Sequence, residues 1–163
     1  MTDKVYNKAV DDFSDGVYRF IVKNIGNEED AKDIVQSAFE KLWVHRHKVE
    51  EEKIKSYLFT VAYRQMIDHI RKVKKMPYIE MAEELPQHVV FQQHGDTKQQ
   101  LLKAIYELNE TQKSLILLKD YEGYNYEEIG EIMDLSESQV KVYLHRARQI
   151  LKNKLGQLLQ MVV

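Results

Sequence analysis

The chain of 163 residues contains no cysteine, only two prolines and only six glycines. Without cysteine there can be no disulfide framework, no thiolate metal site and no thiol nucleophile. No apolar run approaches the roughly 18–20 residues of a membrane span, so membrane insertion is not expected. The opening stretch MTDKVYNKAVDDF lacks the apolar core of a signal peptide, which predicts a cytoplasmic protein. Phosphate-cradling glycine loops, a GxSxG elbow and an HExxH pair are all missing. His45 and His47 lie two apart and diverge on a helix, which argues against a metal site there. Neither catalysis nor any cofactor is therefore expected. What is present is 44% hydrophobic and 31% charged side chains, the balance of a foldable, soluble chain. Scarce helix breakers and abundant Lys, Glu, Leu and Gln predict an all-α fold.

The formal charge is −2, yet it is unevenly spread. Residues 1–75 hold 15 basic and 13 acidic side chains, residues 76–97 hold four acids and no Lys or Arg, and residues 98–163 hold nine of each. Basic residues cluster at Arg71-Lys72-Val73-Lys74-Lys75 and again at Lys141, Arg146, Arg148, Lys152 and Lys154. Local patches of this kind attract a polyanion even when the total charge is near zero. Lysines at helix C-termini also complement the helix dipole, which is the plainer reading of Arg71 to Lys75.

Periodicity divides the chain into two small helical domains, 1–75 and 98–163, joined by an acidic linker at 76–97 that holds both prolines. In the first, helices are predicted over about Val5–Asn24, from Asn27 to Trp43 or His45, and over Ile54–Lys74. Ala31, Ile34, Val35, Ala38, Phe39 and Leu42 are expected to face inward. Within the linker, Tyr78 to Leu85 has the composition for a helical turn or two. In the second, Asn109 with Gln112, Asn125 with Glu128 and Ser136 with Gln139 read as successive helix caps, the last helix running to about Leu158.

The sharpest local pattern spans Tyr126 to Arg148. Gly130 supplies the small residue that two crossing helices need, Asp134 tolerates left-handed geometry in the turn, and Val140 faces the preceding helix. Val140, Leu144, Ala147 and Leu151 form one buried stripe, with Ser138, Val142, His145, Arg146 and Gln149 opposite and Lys141 and Arg148 flanking. This is a helix-turn-helix with a face suited to a major groove and cations suited to phosphates. On the third helix, Tyr57, Thr60, Arg64, Asp68, Arg71 and Lys75 share one side. That stripe suits phosphates and an unstacked base, or a solvated face with Arg64 and Asp68 as an ordinary pair.

Three windows together resemble the extracytoplasmic-function (ECF) sigma factors, a bacterial family. Asp30-Ala-Lys-Asp-Ile-Val-Gln-Ser-Ala-Phe-Glu-Lys-Leu-Trp43 is similar to the family's polymerase-docking helix. Ser56-Tyr-Leu-Phe-Thr-Val-Ala-Tyr-Arg-Gln-Met-Ile-Asp-His-Ile-Arg71 resembles the helix that works on the −10 promoter element. Tyr126-Glu-Glu-Ile and Leu144-His-Arg-Ala-Arg148 resemble text from the family's fourth conserved region.

The resemblance implies a transcription initiation factor whose partners are bacterial core RNA polymerase and promoter DNA. Asp33, Gln36, Phe39 and Trp43 would face polymerase, although Phe39 and Trp43 fit core positions equally well. Tyr57, Arg64, Arg71 and Lys72 would serve the −10 element, where a flipped base is captured between the His45–Lys55 connector and the third helix. Ser138, Gln139, Lys141, Val142, His145 and Arg146 would face the −35 element, with Arg148 on phosphate. The linker would thread toward the polymerase active centre as an acidic mimic of nucleic acid. An anti-sigma protein would hold such a factor inactive by covering these faces. Arg64, Asp134, Gln139, Val142 and Tyr143 depart from the usual family residues, which implies an unusual promoter or an additional DNA-targeting partner. From the residues alone, a stand-alone helix-turn-helix regulator and a helical interaction module are the competing readings.

Overall fold

The computed structural model describes residues 1–75 and 96–161. Regular structure among the described residues is entirely helical: α1 (Asp3–Ile25), α2 (Glu28–Val44), a 3-10 turn (Glu51–Lys53) and α3 (Ile54–Lys74) precede the linker. After it come α4 (Asp96–Tyr106), α5 (Glu110–Ile116), a π-helical turn (Leu117–Tyr121), α6 (Tyr126–Met133) and α7 (Glu137–Met161). The readings placed on 76–95, including the turn at Tyr78 to Leu85, lie outside the described residues. None of the described helices is long and apolar enough to cross a membrane.

Local chemistry sets most of these boundaries. The Thr2 hydroxyl accepts from the Val5 amide to start α1, and Gly26 ends it at φ 76°, a left-handed value that costs a glycine little. The Asn27 side chain accepts from the Asp30 amide to open α2. Asn109 with Gln112 and Asn125 with Glu128 form reciprocal capping boxes, and Ser136 with Gln139 exchange the same two bonds. Each cap is worth about 1 kcal/mol. Helix α7 continues to Met161, past the end expected near Leu158. Val35 is half-buried rather than in the core.

Helices α1, α2 and α3 bury Val17, Phe20, Ile21, Leu42, Leu58 and Met66 between them. Leu115, Leu118, Ile129, Val140, Leu144 and Ala147 form the corresponding interior of the second half. These interiors join: α1 packs on α5, and α3 packs along α6. The Phe59 ring, 1% exposed, meets Phe20 of its own half at 5.7 Å and Tyr124 of the other half at 5.1 Å. Complete burial of such a ring contributes about 1.5–3 kcal/mol.

Polar groups also cross the join. The Lys113 ammonium, on a residue only 7% exposed, donates to the Asn24 carbonyl near the end of α1 at 2.7 Å. A cation there satisfies an otherwise orphaned carbonyl and complements the helix dipole. Ser114 Oγ donates to Asn24 Oδ1 at 3.2 Å, and Asn24 Nδ2 donates to the Phe20 carbonyl at 2.8 Å. Burial pushes the Lys113 ammonium down to about 8, against the pull of Glu110 in the other direction. Arg19 reaches the largely buried Glu122 carboxylate at 3.2 Å, and Lys74 reaches Glu110 at 2.7 Å.

Candidate nucleic-acid interface

Helix α7 is aimed by its crossing with α6. A Cβ on Gly130 would stand 2.5 Å from the Leu135 carbonyl oxygen, so the turn closes only around glycine. Asp134 takes the left-handed conformation at φ 57° and ψ 52° that reverses the chain. Val140, Leu144 and Ala147 are buried against α6 and α5, which fixes the rotation of α7 about its axis.

That rotation leaves Ser138, Gln139, Lys141, Val142, His145, Arg146 and Arg148 exposed. Val142 is 46% exposed, a large apolar side chain left open on this face. Two of the expected contact residues have other partners. Gln139 turns its side-chain oxygen back to the Ser136 amide at 2.9 Å. Arg148 is held by Asp120 of the π-helical turn at 2.6 Å. Periodicity did not single out Tyr126 or Lys119, yet Lys119 and Lys141 both lie over the Tyr126 ring, at 4.8 and 5.4 Å.

A second surface lies where the connector meets α3. A groove of about 400 Å³ is lined by Lys48, Lys53, Ser56, Tyr57, Thr60 and Arg64 among others. Three cations, an aromatic ring and hydroxyls converge there, the groups that hold phosphate and stack a base, together with the carboxylates of Glu50 and Glu131. The Tyr57 hydroxyl donates to the Lys41 carbonyl at 3.4 Å, and burial pushes its pKa up. Arg64 and Asp68 form no ion pair with each other among the described residues. Tyr57 and Arg64 are brought together, whereas Arg71 and Lys72 are not. Lys72 instead lines a separate cleft with Asp30, Asp33, Gln65, Asp68 and His69, in which His69 approaches Asp30 at 3.2 Å. Lys48 and Lys53 went unnamed because a charged connector reads as merely solvated.

The third surface is the outer side of α1 and α2. A mostly apolar groove of about 570 Å³ runs between them, edged by Tyr6, Val10, Tyr18, Val35, Gln36 and Phe39. Phe39 itself is 7% exposed and belongs chiefly to the core, its carbonyl accepting from the Tyr6 hydroxyl at 3.0 Å. Trp43 is 37% exposed, with the Arg46 guanidinium 4.0 Å over its ring and Tyr6 edge-on at 4.9 Å. Val44 beside it is 68% exposed. Asp33 and Gln36 are exposed on the same helix.

Residues 9–76 match the model of sigma-70 region 2, and residues 98–151 match that of sigma-70 region 4. The chain is 31% identical to the ECF RNA polymerase sigma factor SigM of Bacillus subtilis, over 92% of each chain. This chain belongs to the ECF sigma factors. It is also 29% identical to the ECF sigma factor SigW of the same organism, over 91% of this chain and 88% of that one. Among solved structures, the sigma factor RpoE in complex with the anti-sigma factor NepR from Bartonella quintana has the same fold, with a TM-score of 0.73. That likeness holds at 23% identity over 93% of this chain and 96% of the other. CnrH, solved in complex with the cytosolic domain of CnrY, gives a TM-score of 0.70 at 18% identity, over 96% and 90%. As an ECF sigma factor the protein binds core RNA polymerase and directs it to promoter DNA, and the stand-alone regulator is not favoured.

Proposed function

We propose that the three surfaces described above divide the work of initiation, one docking on core polymerase and the other two contacting the two promoter elements. Asp33, Gln36 and Trp43 on α2, with the apolar groove that Phe39 floors, dock on core polymerase. An exposed aromatic ringed by polar groups is the usual composition of such an anchor. The groove of Tyr57 and Arg64 captures a flipped −10 base, and Arg71 and Lys72 neutralise phosphates further along the same strand. Helix α7 enters the −35 major groove, where Lys141, Val142, His145 and Arg146 read base edges and Ser138 and Arg148 hold the backbone. Gln139 acts by fixing the start of α7 rather than by touching DNA.

The observation that carries this reading is the crossing at Gly130, which presents Val142, His145 and Arg146 together on one exposed helix face. The acidic stretch expected at 76–97, which gives way to α4 at Asp96, threads into polymerase between the two regions. The factor needs no catalytic residue of its own and works in the cytoplasm, where core polymerase is. Since the structural neighbour RpoE is solved with an anti-sigma factor, a protein of that kind fits here too, covering the α2 and α7 faces. The test is transcription by purified chain and bacterial core polymerase on a randomised promoter library, with the RNA starts sequenced. Starts confined to one bipartite motif are expected. Arg146→Ala should relax one −35 position by about 1–3 kcal/mol, while Arg148→Ala should weaken all sequences alike. Binding to core without any starts would refute the promoter assignment and point to a separate DNA-targeting partner.

A further inference from the structure

Trp43 is the single tryptophan of the chain, and its indole is held rather than free. After α2 ends at Val44 the backbone tightens, the Arg46 amide donating to the Trp43 carbonyl at 3.3 Å. A turn bonded between residues three apart eclipses their side chains, so Arg46 comes to lie over Trp43. Its guanidinium stands 4.0 Å over the indole and also donates to the Trp43 carbonyl at 2.8 Å. From α1 the Tyr6 ring meets the indole edge-on at 4.9 Å, while the Tyr6 hydroxyl donates to the Phe39 carbonyl one turn earlier at 3.0 Å. We propose that Arg46 and Tyr6 are positioning residues for polymerase docking, holding the Trp43 indole in its docking pose before core polymerase arrives. The proposal rests on the docking reading of Trp43 and adds what makes that anchor rigid.

Three features support it. Both braces are themselves tied: Arg46 by its bond to the Trp43 carbonyl and Tyr6 by its bond to the Phe39 carbonyl, so neither swings away without losing a polar contact. The clamp leaves the indole 37% exposed beside Val44 at 68%, so the ring is braced without being hidden. A mobile indole would be ordered only on binding, at a cost in affinity that a braced one does not meet. The third feature is the choice of arginine. A cation that merely capped the C-terminus of α2 could equally be lysine. A planar guanidinium stacks on an aromatic face and bonds a carbonyl in the same pose, which the point charge of a lysine does not do.

The lone tryptophan makes the pose observable. Time-resolved anisotropy, excited at the red edge where tyrosine does not absorb, reports the motion of Trp43 alone. In the wild-type chain the indole should depolarise only with the tumbling of the whole molecule. Arg46→Lys, which keeps the charge, and Tyr6→Leu should each add a fast local component. Affinity for bacterial core polymerase is read by competition against a fluorescein-labelled wild-type chain. Arg46→Lys is expected to weaken it about fivefold, and Trp43→Ala by more than about tenfold. In the Trp43→Ala background the Arg46→Lys change should cost nothing further, since it acts through the ring. An indole that stays rigid in Arg46→Lys, or a freed indole with full core affinity, overturns the clamp and leaves Trp43 as the anchor. An equal loss with and without Trp43 makes Arg46 a direct contact and overturns its positioning role. Full core affinity in Trp43→Ala overturns the docking reading, and the clamp with it.

Discussion

Lys113 offers a quantitative test of how the two halves are joined. Its ammonium is buried against the Asn24 carbonyl, faces the Tyr106 ring at 4.5 Å, and is influenced by Glu110 and Lys74. Burial lowers its pKa from 10.5 to about 8. A lysine with a depressed native pKa binds fewer protons in the folded state than in the unfolded state. Stability must then rise with pH from about 8 until the unfolded lysine also loses its proton near 10.5. Between about pH 7.5 and about pH 9 these two values give a gain of about 1 kcal/mol. The variant Lys113→Met keeps the length and apolar stem but has no proton to lose. At neutral pH it forfeits a charge-assisted hydrogen bond of about 1.5–3 kcal/mol. It also escapes a desolvation cost of roughly 3 kcal/mol, so its net effect there is small. Urea unfolding followed by far-UV circular dichroism, at both pH values and for both chains, isolates the lysine. The buried tyrosines and Lys23 contribute equally to the two chains and cancel. The expected result is a wild-type advantage that grows by about 1 kcal/mol toward the higher pH. Parallel pH profiles for the two chains would refute the buried-ammonium account.

Other substitutions test the helix-turn-helix. Gly130→Ala drives a Cβ to 2.5 Å from the Leu135 carbonyl, and the resulting strain of about 1–3 kcal/mol outweighs a helix-propensity gain of about 1 kcal/mol. Its thermal midpoint should fall and −35 duplex binding should weaken, and a chain that kept both would show that the crossing tolerates a methyl group. Asp134→Gly relieves left-handed strain at φ 57° and should raise stability by about 0.5–1 kcal/mol in urea titration, with DNA affinity unchanged.

Much of the fold was legible because helix caps use a code three residues long. Asn27, Asn109, Asn125 and Ser136 each pair with the residue three positions on, and all four bonds form. Gly130, Asp134 and Val140 could be read for the same reason, since steric demands in a tight turn leave few alternatives. The join between the halves could not be read. Phe59 and Tyr124 are apolar residues with nothing local to name their partner, and a lysine such as Lys113 at the start of a short helix reads as solvated. The same limit applies to the groove, whose wall includes Glu131, far along the chain from Tyr57 and Arg64. Phe39 shows a subtler ambiguity. The family motif covers α2, yet the burial of that ring depends on Tyr6 and α1, which the motif does not contain.

Phe59 serves two interiors at once, touching Phe20 on one side and Tyr124 on the other. Separating the halves bares apolar ring surface to water, and the attraction between such surfaces weakens on cooling. The packing of one half on the other therefore weakens as temperature falls. In the cold α3 holds α6 less tightly, so the seam between the halves is tied to temperature before any partner acts on it.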